Sequence, residues 1–165
     1  MWRILAILGG VCGAVALSQF PEFSQQYLQR LAGKVDALTA VAVQFDATAA
    51  RNNLTRDAAL GAMTGSPVLT DQQADMRATL ALQVQLADNL ATLRTATPLA
   101  RLTMPQRLGD LATLQATYAD FRPAVPATTE GAITAGIGYA GGWAVIAALA
   151  RLLRLLFRRR VQGDF

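Results

Sequence analysis

The sequence predicts an all-α membrane protein: two transmembrane helices plus an extracytoplasmic antiparallel helical bundle or coiled-coil hairpin. Three observations carry that expectation. From Ala132 to Ala150 there are nineteen residues and no charge. Such a run makes about 28 Å of helix, close to a hydrocarbon core of ~30 Å. A second apolar run, Ile4–Leu17, follows the amino terminus. Between them, apolar residues recur at three- and four-residue spacing, the period of a helix, and no stretch alternates as a strand does.

Composition narrows the function classes. Of 165 residues 53% are hydrophobic and only 16% charged, where roughly 25% charged is usual for soluble domains. Net charge is +4, but residues 21–130 hold nine basic and ten acidic side chains. The excess sits at the ends, in Arg3, Arg151, Arg154, Arg158, Arg159 and Arg160. A basic tail beside a spanning helix reads an anionic leaflet, so no nucleic acid is expected as a partner. There is no histidine and one cysteine. Imidazole is therefore absent from any general-base or metal argument, and no metal or other cofactor is expected. Cys12 reads as a small buried hydrophobe of the first run. A lipoprotein anchor fits poorly, because Val11 precedes Cys12 where a small residue is needed.

The first segment, residues 1–20, has two readings. Arg3, a short apolar core and Ala16-Leu17-Ser18 resemble a cleaved signal peptide. Alternatively Ile4–Phe20 is a retained span of about 25 Å, short but adequate with bilayer thinning. Retention is the expectation. The second span is 131–157, and 158–165 form a basic tail. Basic residues flanking spans stay cytoplasmic. Both termini are then cytoplasmic, in a bacterial inner membrane, and residues 21–130 are a periplasmic helical bundle.

Within that region, Pro21 stands in a first helical turn, where its missing amide costs nothing. A helix then runs to about Ala50. Leu28, Leu31, Val35, Leu38, Ala42, Phe45 and Ala49 form its apolar stripe, three heptads long. Arg51-Asn52-Asn53 breaks it. Thr55-Arg56-Asp57 starts a short helix over Asp57–Met63, and Gly65-Ser66-Pro67 reads as a turn. Thr70 and Gln73 fit a capping box opening a helix over about Asp71–Ala96, with Leu82, Leu86, Leu90 and Leu93 on one face and Leu80 and Val84 widening it. Thr103 and Gln106 fit a second box. A third helix over about Met104–Phe121 is expected to bury Met104, Leu108, Leu111, Leu114, Tyr118 and Phe121, and to end at Pro123 and Pro126. The long first helix should pack against Leu82–Leu93 and against the Leu108–Phe121 face.

The residues that stand out are few. Gly9 and Gly13, and Gly138 and Gly142, each fit a small-xxx-small pattern, which lets helix backbones approach closely. They serve either the packing of the two spans on each other or a seat for another membrane subunit or a second copy. Tyr139 and Trp143, four apart, share a face of the second span; a packing role is weighed against a pigment, quinone or haem contact, the last without any axial histidine. Arg151, Arg154 and Arg158 line one helix side, with Arg159 and Arg160 beside them, to hold anionic lipid headgroups or an acidic partner surface. Asp71 and Asp75 share a face but read as solvated carboxylates. Ser18, Ser24 and Ser66 have only Lys34 as a conceivable base, so an enzyme is not expected.

The run Ser18-Gln19-Phe20-Pro21-Glu22-Phe23, followed by Tyr27-Leu28-Gln29-Arg30-Leu31 and Gly33, resembles the start of the bacterial DUF2937 family. Tyr118, Phe121, Pro123-Ala124, Pro126 and Glu130-Gly131 resemble its end, so the likeness covers nearly the whole chain. The resemblance implies a small two-span inner-membrane protein and carries no catalytic residues. The Ala/Leu/Arg-rich composition is similar to that of high-GC proteobacterial proteins. The expected function is a non-enzymatic accessory or scaffold subunit of a larger membrane complex, with an energy-transducing complex as one candidate. The competing expectation is a periplasmic sensor or interaction module that lacks an output domain of its own. A Ser–Lys hydrolase is the third and least supported.

Overall fold

An unbroken heptad of apolar residues behind Pro21 needs a partner along its length, and the fold supplies one. The computed structural model describes residues 2–123 and 129–161, with side chains described as far as Arg154. The elements in order are α1 (Trp2–Ser18), α2 (Phe20–Arg51), α3 (Arg56–Gly61), α4 (Pro67–Thr95), α5 (Pro98–Leu102), a 3-10 turn (Pro105–Leu108), α6 (Leu111–Asp120) and α7 (Thr129–Val161). No strand occurs among the described residues. The chain divides into two units, Met1–Gln25 with Phe121–Phe165, and Gln26–Asp120.

In the Gln26–Asp120 unit, α2 and α4 run antiparallel. Tyr27, Leu28, Leu31 and Val35 of α2 are buried together with Leu86, Leu90 and Leu93 of α4, and Leu38, Leu82, Leu108 and Leu114 pack around them. Full burial of each leucine contributes about 1.5–3 kcal/mol. A smaller cluster joins Ala42 and Leu80 to Leu60 of α3, with Phe45, Met63 and Met76 against it. Ala49 closes the stripe, also buried.

α2 ends where Asn53 takes φ +56°, a left-handed conformation that asparagine tolerates. The Asn52 and Leu54 amides both turn back to the Ala49 carbonyl, at 3.0 and 2.9 Å. Thr55 then caps α3, accepting from the Ala58 amide at 3.2 Å. The next helix starts earlier than the expected Asp71. Ser66 is its cap, accepting from the Leu69 amide at 3.2 Å, and Pro67 occupies its first position. Serine then proline is itself a helix-start signal, and the preceding Gly65, at φ +99°, makes the turn. The Thr70–Gln73 capping box does not form. The Thr70 hydroxyl donates to the Ser66 carbonyl at 3.1 Å, and the Gln73 amide donates to the Leu60 carbonyl at 2.5 Å, tying α4 to α3.

The expected third helix is also corrected. It is three pieces: α5, the 3-10 turn and α6. Thr97 caps α5, and Thr103 donates to the Ala100 carbonyl at 2.8 Å instead of opening a box with Gln106. The break falls at Gly109-Asp110. The Asp110 carboxylate accepts from the Thr113 amide at 3.2 Å and from the Thr113 hydroxyl, and so caps α6. Lys34 of α2 holds both its oxygens, at 3.0 and 2.8 Å. This latch fixes the rotation of α6. Thr113 and Thr117 face inward, and the Thr117 hydroxyl is satisfied by the Thr113 carbonyl at 2.7 Å. Leu111 and Tyr118, expected in the core, are 62% and 78% exposed. Pro126 lies outside the described residues.

Polar bonds fasten the remaining pieces. Arg107 bonds Asp88, and Asn89 at 2.8 Å, which pins the 3-10 turn to α4. Arg30 pairs with Asp120 at 2.5 Å. The buried Arg101 guanidinium donates to the Leu93 carbonyl at 3.0 Å. Tyr27 is wholly buried, and its hydroxyl makes no hydrogen bond of ordinary geometry. Burial raises its pKa, with the Asp110 backbone opposing in part.

Burial alone would raise the Asp110 carboxyl, but its bonds to Lys34 and Thr113 outweigh that and hold it below the usual carboxylate range. A carboxyl depressed in the fold adds stability above its unfolded pKa of about 4 and loses it as pH falls through the lower folded value. Asp110→Ala, which deletes cap and pair together, is expected to cost about 1–3 kcal/mol. Thermal melts should show the wild type falling below about pH 4, and Asp110→Asn with a flatter acid limb. An unchanged acid limb would dismiss the latch.

Candidate functional site

Glycine in an apolar helix invites a second backbone to come close, because no Cβ stands in the way. α1 and α7 use theirs on each other. They pack antiparallel along their lengths, with Gly13 against Gly138 and Gly9 against Gly142. A Cβ on Gly13 would collide with the Gly138 carbonyl oxygen, and one on Gly138 with that of Gly13. A Cβ on Gly142 would strike the Gly9 carbonyl, and Gly9 itself faces the Ile146 side chain. Gly10, which the small-xxx-small pattern did not single out, lies under the Tyr139 ring, whose nearest atoms would be 2.8 and 2.9 Å from an added Cβ. Buried Ala6 and Ala150 extend the line of small residues.

Three buried hydroxyls in this unit bond carbonyls of their own helices, as suits a low-dielectric surrounding. The fully buried Thr134 hydroxyl donates to the Glu130 and Gly131 carbonyls at 2.9 and 3.0 Å. Ser18 donates to the Val15 carbonyl at 2.8 Å, and Ser24 to that of Pro21 at 2.9 Å. Phe23 and Phe121 meet edge to face, with centroids 5.5 Å apart.

The outer surface of the pair is apolar. Ile4, Leu8, Val11 and Val15 of α1 are exposed, as are Ile133, Ile137, Trp143, Val145 and Leu149 of α7. The most apolar windows of the two helical stretches, Trp2–Arg51 and Thr129–Arg154, are only 17% and 11% buried within the protein. A core helix of a water-soluble fold would be mostly covered. Both helices are long and apolar enough to cross a membrane.

Of the residues singled out in sequence, the four glycines and Tyr139 come together between α1 and α7. Trp143 is exposed on the outside. Gly136 and Gly141 have nothing within 4 Å of a built Cβ. Arg151 and Arg154 are exposed on α7. The side chains of Arg158, Arg159 and Arg160 lie outside the described residues, although the helix runs through Val161. Lys34 is engaged by Asp110 and Ser66 caps α4. Among the described residues no set of His, Cys, Asp and Glu is grouped to hold a metal. Cys12 is a free, exposed thiol on α1.

The model of the family described as "Protein of unknown function (DUF2937)" matches residues 1–159. The chain belongs to the DUF2937 family. No curated protein and no solved structure matches it. The DUF2937 match takes in α1, all of Gln26–Asp120 and α7 as far as residue 159, so the two apolar helices and the region between them belong to one family.

Close packing in this DUF2937 chain gives a direct expectation. Gly13→Leu or Gly138→Leu forces the two backbones apart and is expected to cost about 1–3 kcal/mol, read as a lower melting temperature in detergent. Gly136→Ala and Gly141→Ala, on open surface, should melt with the wild type. Equal losses at all four positions would rule out the carbonyl contacts as the reason.

Proposed function

We propose that this protein is a non-enzymatic accessory or scaffold subunit of a larger complex in the bacterial inner membrane. Both termini are cytoplasmic in this reading, and residues 21–130 stand in the periplasm. The observation that carries it is the lateral surface of the α1–α7 pair. The glycines that bring the two helices together are used up within the chain, yet a continuous apolar surface is left outside, with Gly136 and Gly141 open on it. Lipid satisfies such a surface, and a second membrane protein can pack on its open glycines. Arg151, Arg154, Arg158, Arg159 and Arg160 then hold anionic headgroups at the cytoplasmic face, each contributing about 1 kcal/mol that salt weakens.

A second reading keeps one specific observation in its favour. Only Gln19 interrupts the helix between α1 and α2, and the Phe23 amide still bonds the Gln19 carbonyl at 2.9 Å. A helix passing almost unbroken out of an apolar span is the kind of rod a sensor uses, with output left to a partner.

Crosslinking in native membranes followed by mass spectrometry tests the first reading. The expected result is a reproducible larger membrane protein attached through α7, with loss of the adduct on Gly136→Leu. A chain isolated alone from mild detergent, with no adduct, would refute the accessory role. A reporter fused at either terminus should be active only in the cytoplasm, and Arg151→Ala with Arg154→Ala should lower retention on anionic vesicles. Periplasmic reporter activity at either end would overturn the orientation.

A further inference from the structure

Little apolar surface holds α6 in place. Thr113 and Thr117 are its buried residues, and Leu114 is the one large apolar side chain of the helix that packs against the core. A helix of ten residues is marginal by itself and depends on what it packs against. The other attachments of α6 are charged. At its start Lys34 holds both Asp110 oxygens, at 3.0 and 2.8 Å, and at its end Arg30 pairs with Asp120 at 2.5 Å. The 3-10 turn before it is fastened separately to α4, through Arg107 and Asn89. Gly109 lies between the two, so α6 can swing there while the turn stays fixed. The α2–α4 core is of another kind, with Leu28, Leu31 and Val35 buried against Leu86, Leu90 and Leu93.

The start of α6 also covers an unfavourable group. Tyr27 is wholly buried, its hydroxyl has no hydrogen-bond partner of ordinary geometry, and the Asp110 backbone lies against it. A dry hydroxyl without a bond is costly, and water that reaches it removes the penalty. We infer that α6 is a charge-latched lid over Tyr27, which opens as a unit while the α2–α4 core stays closed. In the closed state Leu114 and the two ion pairs outweigh the dry hydroxyl. In the open state water satisfies Tyr27, Lys34 and Asp110 alike, which keeps the two states close in free energy. Opening changes the reach of the chain. The ten residues of α6 cover about 15 Å as a helix and up to about 33 Å extended, so the latch holds back slack in the segment that leads into α7. The lid lies within the Gln26–Asp120 unit and works whichever way the two spans cross.

The test is hydrogen exchange of the full chain in nanodiscs, read by mass spectrometry on peptides from α6 and from Leu86–Leu93 of α4. In the wild type α6 should exchange well before α4, and salt should speed it by weakening the two ion pairs. Tyr27→Phe removes the dry hydroxyl and keeps the ring, so exchange in α6 should slow roughly fivefold or more. Were Tyr27 uncovered only by global unfolding, that slowing would appear in α4 and not in α6. Lys34→Met keeps the aliphatic stem and loses the latch, and should speed exchange in α6 roughly tenfold. Exchange of α6 in step with α4, or a Tyr27→Phe chain whose α6 exchanges faster or unchanged, would overturn the lid.

Discussion

The approach of two backbones at Gly13–Gly138 and Gly9–Gly142 governs the apolar unit. Inside a bilayer apolar surface gains nothing by leaving lipid, so two helices associate only through packing and polar contacts. Hydrogen in place of Cβ at these positions lets carbonyl oxygens meet α-carbons, and the dispersion contacts per turn rise accordingly. Among the described residues of α7 the one buried polar side chain, Thr134, spends its hydroxyl on its own helix. It neither demands nor offers a bond across the pair. The pairing is therefore a matter of shape, and shape explains why glycine alternates with larger residues such as Ile146 and Tyr139 along the contact.

The Gln26–Asp120 unit is held by a different balance. Two long helices bury a modest leucine core, and charged latches attach the shorter pieces to it. Lys34–Asp110 is the most covered of the ion pairs, and Asp110 also caps α6, so a single carboxylate decides where the third helical piece begins and which way it faces. Arg107 acts in the same manner on the 3-10 turn. Exposed pairs such as Arg56–Asp46 contribute less, since water and salt screen them.

Much of this was legible in the sequence. The α2 stripe from Leu28 to Ala49 could be read because a heptad depends only on residue spacing. The paired small residues of the two apolar runs could be read for the same reason. Boundaries decided by competition between local signals were harder. Ser66-Pro67 outcompeted Thr70 as the start of α4 because proline's fixed φ and the serine cap act together. α6 was misread because the apolar period through Leu111 and Tyr118 suggested an inward face. Its rotation is set instead by Asp110, through a lysine 76 residues away in sequence. No window of sequence contains that pair. Tyr27 was passed over as part of a motif, although it is wholly buried at the head of the core.

Leu111 and Tyr118 show what sets the face that α6 presents in the Gln26–Asp120 unit. Turning threonines inward and a tyrosine outward gives up apolar burial, of which a tyrosine ring is a large share. The Lys34–Asp110 pair and the Thr113 cap hold this rotation, and Leu114 on the same helix still packs against the core. The outward side of α6 carries no charge from Leu111 to Ala119. Leu111 and Tyr118 thus stay on the surface as a consequence of where one carboxylate caps the helix.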